Sequence, residues 1–277
     1  MKMAFYPGCS LEGMANDYAR SVVSVFEKLE IGFHEIRDWS CCGATAAYSL
    51  NDYLSVAFPA RNLYAAEQMG MDIVAPCALC FNRLKHAQKA VKKKLADVPW
   101  PVTGDIDVHD MTRFLSRPDM LKLIRGRVAA PLKGLKIICY YGCQSVRPPR
   151  LTDAYDYENP MTMETVLAAL GAEILDWSYK STCCGAGIGA VRKDIRDSLT
   201  TRLLKKAAKT GTHAIAVSCP LCQTNLDTTR VSGAYEIPVF YFTELIQLAF
   251  SEKGEAPPFG QHFRNPMPVL KRAGIIK

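Results

Sequence analysis

Ten of the eleven cysteines in this 277-residue chain fall into two copies of one pattern. Each copy holds a single cysteine, then two adjacent cysteines followed by glycine, and then a CxxC motif. In both copies, 34 residues separate the adjacent pair from the CxxC motif. The ten cysteines are Cys9, Cys41, Cys42, Cys77 and Cys80 in the first copy, and Cys143, Cys183, Cys184, Cys219 and Cys222 in the second. Such an internal repeat predicts two similarly folded halves, each of which brings five cysteines together.

The residues that flank the cysteines repeat as well. The matching pairs are KMAFYPGC at 2–9 with KIICYYGC at 136–143, and DIVAPCALC at 72–80 with AIAVSCPLC at 214–222. The eleventh cysteine, Cys139, aligns with Phe5 inside an apolar run. We therefore expect Cys139 to be a buried apolar residue without a role in the motif.

Composition indicates a protein that folds around an apolar core and does not need disulfides. Hydrophobic residues make up 49% of the chain, enough for one large or two ordinary domains. The odd number of cysteines and the lack of a secretory signal pattern predict reduced thiols and a cytoplasmic location. No run of about 18 apolar residues is present, so no direct membrane span is predicted. The net charge of +7 is spread over helix faces without interleaved aromatic residues, so we expect no nucleic-acid partner.

Predicted strands and helices alternate along the chain. Short apolar runs such as 73–75 and 214–217 have the length of buried strands, and helices follow them, with one interruption expected near Pro59. We therefore predict an α/β fold of two pseudo-repeated cysteine-rich domains with short, mostly parallel sheets. The predicted boundaries are 1–128 for the N-terminal domain, 132–250 for the C-terminal domain and 251–277 for an extended tail. Binding sites in such sheets lie beyond the carboxyl ends of the strands, where the motif cysteines are expected.

The cysteine set allows three kinds of chemistry. Tetrahedral zinc takes four ligands, whereas each copy offers five. A dithiol catalyst would use a CxxC motif but would leave Cys9 and the adjacent pairs without a role. An iron–sulfur cluster needs thiolates on several irons, and adjacent cysteines can bind two neighbouring irons. Five thiolates exceed the four of a standard cubane, which indicates an unusual cluster or a spare ligand.

The duplicated C…CC…CxxC pattern, with CCG at its centre, resembles the B subunit of heterodisulfide reductase and its relatives, the CCG or cysteine-rich domain family. The resemblance covers about 1–250. It implies that each copy holds one noncubane [4Fe-4S] cluster through all five of its cysteines. Two complete copies imply two clusters, with the cluster iron as the reactive centre. The implied ligands are Cys9, Cys41, Cys42, Cys77, Cys80, Cys143, Cys183, Cys184, Cys219 and Cys222.

The resemblance also implies a function in sulfur metabolism. The chain would be the catalytic iron–sulfur subunit of a heterodisulfide reductase-like complex, a disulfide/thiol oxidoreductase that cleaves or forms a disulfide or handles a related sulfur substrate. Expected partners are a ferredoxin-like cubane iron–sulfur subunit, a flavin-containing subunit and a small thiol, disulfide or persulfide. The alternative is an electron-transfer or docking subunit of a succinate, fumarate, glycolate or lactate dehydrogenase-type complex, without disulfide chemistry.

Other residues give weaker signals. Lys180, Arg147 and His109 are candidates for orienting an anionic substrate or delivering protons, but a single basic residue more often lies on the solvated surface. GAGIGA at 185–190 resembles half of a nucleotide-binding fingerprint, yet Cys184 precedes it and no predicted strand leads into it. Electrons are therefore expected to come from a partner.

Overall fold

Two four-stranded sheets organise the computed structural model, which describes residues 1–44, 46–230, 236–252 and 255–277. The first half contains strands β1 (Lys2–Phe5), β2 (Gly32–Glu35), β3 (Ile73–Ala75) and β4 (Val108–Asp110). Its helices are α1 (Gly8–Glu12), α2 (Asn16–Lys28), α3 (Ala47–Leu50), α4 (Asp52–Met69), α5 (Ala78–Lys92), α6 (Met111–Leu115) and α7 (Pro118–Arg127).

The second half repeats this order. Its strands are β5 (Lys136–Tyr140), β6 (Glu173–Ile174), β7 (Ala214–Val217) and β8 (Val239–Tyr241). Its helices are α8 (Pro149–Thr152), α9 (Thr162–Ala169), α10 (Lys193–Ala208), α11 (Pro220–Thr228) and α12 (Phe242–Phe250), and α13 (Met267–Arg272) follows.

Both sheets are parallel throughout and have the same topology. The strand orders are β2-β1-β3-β4 and β6-β5-β7-β8. The registers also correspond, since Lys2 pairs with Gly32 in one sheet and Lys136 pairs with Glu173 in the other. Helices cover the sheets, so the central strands are apolar over their whole length, as in Ile73–Ala75. The predicted α/β fold with two repeats is confirmed.

The two halves pack on each other through equivalent helices. Helix α2 of the first half contacts α12 of the second, where Ser21 Oγ lies 2.6 Å from Thr243 Oγ1. Helix α9 of the second half contacts α6 of the first, where Thr162 Oγ1 lies 2.8 Å from Thr112 Oγ1. These two hydroxyl pairs are counterparts in the repeat, so the halves are related by an approximate two-fold axis. The predicted domain boundaries themselves stay a prediction.

The expected interruption near Pro59 is not present, because α4 continues through this residue. Proline lacks the N–H that would bond to the carbonyl one turn earlier, at Ser55. The ring of His86 lies near the backbone of Ser55. A polar side chain from the neighbouring α5 is thus placed beside the carbonyl that Pro59 leaves without its helical donor.

The sequence predicted an extended C-terminal tail, but part of this segment is helical. Residues 267–272 form α13, in which Val269 and Leu270 are buried. Upstream, the backbone N–H of Gln261 donates to Asp17 Oδ2 at 2.9 Å, and that of Phe263 donates to Asp227 Oδ2 at 2.6 Å. Proline content suggested an extended chain, but proline is well tolerated in the first turn of a helix, where α13 has it.

Candidate metal centre

The motif cysteines follow three adjacent parallel strands in each sheet. In the first half Cys9 lies in α1 just after β1, the pair Cys41-Cys42 follows β2, and Cys77 caps the N-terminus of α5 after β3. Because the carboxyl ends of these strands meet at one edge of the sheet, the sequence-distant thiols converge there. The second half places its five cysteines in the same way after β5, β6 and β7.

Thiols within each half contact one another in pairs. In the first half Cys9 Sγ lies 3.9 Å from Cys41 Sγ, and Cys42 Sγ lies 3.5 Å from Cys80 Sγ. In the second half Cys184 Sγ lies 3.5 Å from Cys222 Sγ. The thiols of Cys143 and Cys183, and the two thiols within each CxxC motif, are close enough to shift each other's pKa. All eleven cysteines are free, so these contacts are not disulfides.

The two sites adjoin each other at their CxxC motifs. The buried hydroxyl of Tyr18 lies 3.1 Å from the Pro76 carbonyl of the first half and 3.0 Å from the Ser218 carbonyl of the second. These carbonyls immediately precede Cys77 and Cys219, which are both buried and close enough for each to shift the pKa of the other. One tyrosine from the first half thus ties the two CxxC loops together.

Paired tyrosines hold the loops with the adjacent cysteines. Tyr6, at the end of β1, donates from its hydroxyl to the Ser40 carbonyl at 2.7 Å, and Tyr140, at the end of β5, donates to the Thr182 carbonyl at 2.5 Å. Burial, followed by the negative charge of the nearby thiolates, raises the pKa of both phenols. Each phenol therefore stays protonated and keeps its hydrogen bond.

Two glycines let the backbone come close to sulfur. Gly8 has φ +68°, and a Cβ at this position would lie 2.9 Å from Cys80 Sγ. Gly142 has φ +66°, and a Cβ there would lie 2.8 Å from Cys222 Sγ. Both the left-handed backbone and the close approach require glycine here. The cysteines that follow, Cys9 and Cys143, are thereby placed beside the CxxC thiols.

Hydrogen bonds favour the thiolate form at two of the exposed cysteines, Cys41 and Cys183. The thiol of Cys42, then that of Cys9, and then the Gly43 amide lower the pKa of Cys41. The thiol of Cys143 and then the Gly185 amide, 3.2 Å from the sulfur, lower the pKa of Cys183. Thiolates are the form of cysteine that binds metals.

This donor set fits a sulfur-rich cluster better than a single ion. Five thiols surround each site, and thiolates select zinc, copper(I) or iron–sulfur clusters. Among the described residues, no three of these sulfurs all lie within 4.8 Å of one another. A tetrahedral zinc site would bring four sulfurs closer together than that, since its Zn–S distances are about 2.3 Å. A wider arrangement suits a group with several metal atoms.

The three basic candidates from the sequence are held by acidic partners. Lys180, which is 3% exposed, lies 3.1 Å from Glu164, and its carbonyl accepts the Tyr141 and Gly142 amides. His109 Nε2 lies 3.9 Å from Asp72. Arg147 lies 2.6 Å from Glu158 Oε2. Lys180 thus supports the loop that carries Cys143 instead of facing the surface.

Sequence reasoning missed the tyrosines that hold the loops. Tyr6 and Tyr140 occupy equal positions in the two repeated flanks, so the alignment of the copies contained that signal. Tyr18 has no tyrosine counterpart, and nothing in the sequence marks its contact with both halves. Cys139 is buried, as expected, and the Trp177 indole donates to its carbonyl at 2.8 Å.

Comparison with known proteins identifies the repeat. The family described as "CCG: Cysteine-rich domain" matches the chain twice, at residues 3–85 and 137–227. In the described residues, no helix is both long and apolar enough to span a bilayer.

Relatives come from reductase complexes of different kinds. The chain is 29% identical to the 8-methylmenaquinol:fumarate reductase membrane anchor subunit of Wolinella succinogenes, over 90% of this chain and 92% of that protein. It is 25% identical to the B subunit of the ferredoxin:CoB-CoM heterodisulfide reductase of Methanosarcina mazei, over 90% and 89%. It also resembles the crystal structure of a hypothetical protein from Helicobacter pylori, with a TM-score of 0.61 and 9% identity. The match covers 91% of this chain but 49% of that structure, and shows the fold alone.

Proposed function

Because this chain belongs to the CCG cysteine-rich domain family, we propose that it is the iron–sulfur subunit of a reductase complex that carries two clusters and cleaves or forms a disulfide. The relatives are subunits of heterodisulfide and fumarate reductases, and they support a role as a subunit of a reductase complex. We propose in addition that the chain carries two clusters of the noncubane type and performs disulfide chemistry. All ten motif cysteines are the proposed ligands.

One observation carries the proposal: the CxxC loops of two complete sets of five cysteines lie side by side, since the carbonyls just before Cys77 and Cys219 share the hydroxyl of Tyr18. Bound clusters would each supply one electron, so that a disulfide, two electrons and two protons give two thiols. The exposed Cys9 and Cys41 on one side and Cys183 on the other leave the outer part of each site open to solvent. A substrate sulfur can reach both sites only if they lie close together, as they do here.

Partners complete the proposed function. A ferredoxin-like cubane iron–sulfur subunit and a flavin-containing subunit would deliver the electrons, and a small thiol, disulfide or persulfide would be the substrate. The chain's only glycine-rich pattern, at 185–190, forms a turn after Cys184 and does not connect a strand to a helix. This supports electron supply from a separate flavin-containing chain. We propose a cytoplasmic location for the complex.

The alternative function is electron transfer without disulfide chemistry. Its support is the 29% identity to a fumarate reductase subunit, which exceeds the 25% identity to the heterodisulfide reductase subunit. The two functions differ in reactivity toward thiols. In the catalytic case a small thiol added to the oxidised protein changes the paramagnetic spectrum of a cluster, whereas in the electron-transfer case it does not.

The test begins with iron, acid-labile sulfide and zinc in protein purified without oxygen. We expect about eight irons and about eight sulfides per chain. About four of each would contradict a second cluster, and zinc without sulfide would overturn the redox function. Disulfide reduction by a reduced viologen dye, with coenzyme-type heterodisulfides as substrates, then separates the catalytic function from the alternative.

A further inference from the structure

Side-chain amides reach sulfur in the second half of the protein. Asn225 Nδ2 lies 3.5 Å from Cys184 Sγ and 3.3 Å from the Cys184 carbonyl. Gln144 Nε2 lies 3.7 Å from Cys143 Sγ. Both amides donate to the cysteine sulfur, because a thiolate has no proton to give. Two of the five proposed ligands in this half therefore accept a hydrogen bond from a neutral side chain.

The first half has different residues at the corresponding positions. The repeat aligns Asn225 with Arg83, three residues after the last cysteine of each CxxC motif, and Gln144 with Ser10. The Arg83 guanidinium lies 4.0 Å above the Tyr48 ring and donates to Asn82. Within the part of the chain that the structure describes, no side-chain amide or hydroxyl donates to a sulfur of this half. The cysteine motifs are thus equal while their hydrogen bonding is not.

Backbone donors do not account for this difference. The Gly43 amide lies 3.5 Å from Cys41 Sγ, and the equivalent Gly185 amide lies 3.2 Å from Cys183 Sγ. The thiol pairs Cys42–Cys80 and Cys184–Cys222 have the same 3.5 Å separation. Among the described residues, the amides of Asn225 and Gln144 are therefore the side-chain donors that distinguish the second site from the first.

We propose that Asn225 and Gln144 raise the reduction potential of the C-terminal site, so that two sites with the same five cysteines are electronically unequal. An N–H donor at sulfur stabilises the reduced cluster more than the oxidised one, since reduction adds negative charge that the donor offsets. This inference rests on the proposed function, in which each site binds a cluster. The inference concerns the reduction potentials of the two sites, which would be equal if the five cysteine ligands alone determined them.

The test is a redox titration of the anaerobically purified protein, followed by electron paramagnetic resonance, with dithionite as reductant. Signals are assigned to the halves with Cys41→Ala and Cys183→Ala, which each remove a ligand from one site. In Asn225→Leu, we expect the ratio of reduced to oxidised C-terminal cluster to fall about tenfold at a fixed potential. This fall corresponds to a reduction potential that is lower by about 59 mV for a one-electron couple. The N-terminal signal in the same sample should not move.

Matched variants separate tuning from damage to the fold. Thr224→Val alters the neighbouring position on α11, where the hydroxyl bonds only to the Pro220 carbonyl at 3.1 Å, and should leave the potential unchanged. Arg83→Leu removes the counterpart residue and should leave the C-terminal potential unchanged. Gln144→Leu, at a less buried position, should lower the C-terminal potential by a smaller amount because its contact is longer. Gln144→Leu also tests the proposal if Asn225→Leu does not retain its cluster.

The outcomes distinguish this inference from the proposed function. If the unaltered protein contains no iron–sulfur cluster, both are wrong. If it contains two clusters and neither Asn225→Leu nor Gln144→Leu lowers the C-terminal potential, only the tuning role is wrong. Equal shifts in both clusters would also contradict it, because they would indicate a general effect on the protein.

Discussion

At the scale of single residues, function in this protein depends on sulfur and on the few groups that place it. The ten motif cysteines are all free, and seven of them are buried or half-buried around the two CxxC motifs. Cys139 provides an internal control, because it is fully buried in β5 and has no motif partner. The proposed ligands can thus be tested against a cysteine of the same chain.

Replacing Cys42 or Cys184 by alanine should remove about half of the iron, whereas Cys139→Ala should leave the iron content unchanged. The reason is that the first two would each deprive one site of a ligand, while Cys139 contacts no motif sulfur. Iron and sulfide analysis of the three purified variants checks this. Equal iron loss in all three would show that the ligand assignment is wrong.

Tyr140→Phe should destabilise the fold by about 0.5–1.5 kcal/mol, because the partly buried Thr182 carbonyl would lose its donor. The loop that carries Cys183 and Cys184 would be loosened at the same time. Denaturant unfolding of the metal-free protein measures the change. Tyr53→Phe is the matched control, since Tyr53 is 49% exposed and should shift the unfolding free energy by less than about 0.5 kcal/mol.

At the scale of elements, the sequence was a good guide where local pattern and tertiary environment agree. The apolar runs at 73–75 and 214–217, just before the CxxC motifs, correctly predicted β3 and β7, because strands of a covered parallel sheet are apolar on both faces. The pattern failed at Pro59, which α4 accommodates within one continuous helix. It failed again at α13, whose burial depends on long-range contacts that composition does not report.

The contacts that complete the site were beyond sequence reasoning for the same reason. Asn225 and Tyr18 act on residues 41 and more positions away, and neither belongs to a recognisable motif. Tyr6 and Tyr140 differ from them, because the duplicated flanks display both. The repeat within one chain therefore held a signal for these two residues, although sequence reasoning did not use it.

The segment before α13 is fixed by a buried histidine, and this predicts a pH dependence. His262 Nε2 lies 2.9 Å from Glu244 Oε1. Burial lowers the pKa of His262, but the hydrogen bond and charge of Glu244, together with the charge of Asp227, outweigh it and raise the pKa overall. A raised pKa stabilises the fold below the pKa of unfolded histidine, about 6.5, and this stabilisation is lost as pH rises through the folded pKa.

The free energy of unfolding should therefore fall more steeply for the unaltered protein than for His262→Gln as pH rises from about 6 to about 8. Denaturant titrations of both proteins at several pH values check this. His34→Gln is a control at a surface histidine. Parallel curves for the unaltered protein and His262→Gln would exclude His262 as the source of the pH dependence.

At the scale of the whole molecule, the two halves are not independent. Helices α2 and α9 each pack on the other half, and Tyr18 bonds to the loops before Cys77 and Cys219. The Tyr18 ring also stacks on Tyr241 of the second half, with centroids 4.2 Å apart and planes within 2°. Neither cysteine site is therefore supported by its own half alone.

Tyr18→Phe should lower the free energy of unfolding by about 1–3 kcal/mol, because two buried carbonyls would lose their shared donor while the stacked ring is kept. It should also change the magnetic interaction between the two reduced clusters, since the hydroxyl fixes the distance between their loops. Tyr48→Phe, at a 51% exposed tyrosine of the first half, is the control for both measurements. An unchanged spin–spin interaction in Tyr18→Phe would contradict the spacing role.

The position of Tyr18 explains what is gained by joining both halves in one polypeptide. Two identical chains could assemble around the same two-fold axis as an isologous homodimer. A bulky side chain close to that axis would then meet its own symmetry copy. In the fused chain, the equivalence of Ser21 with Thr162 makes Asn159 the counterpart of Tyr18. Asn159 lies in an exposed bend before α9, so a single tyrosine ring lies between the two CxxC loops. Covalent fusion thus permits a single residue at the centre that a symmetric assembly would exclude.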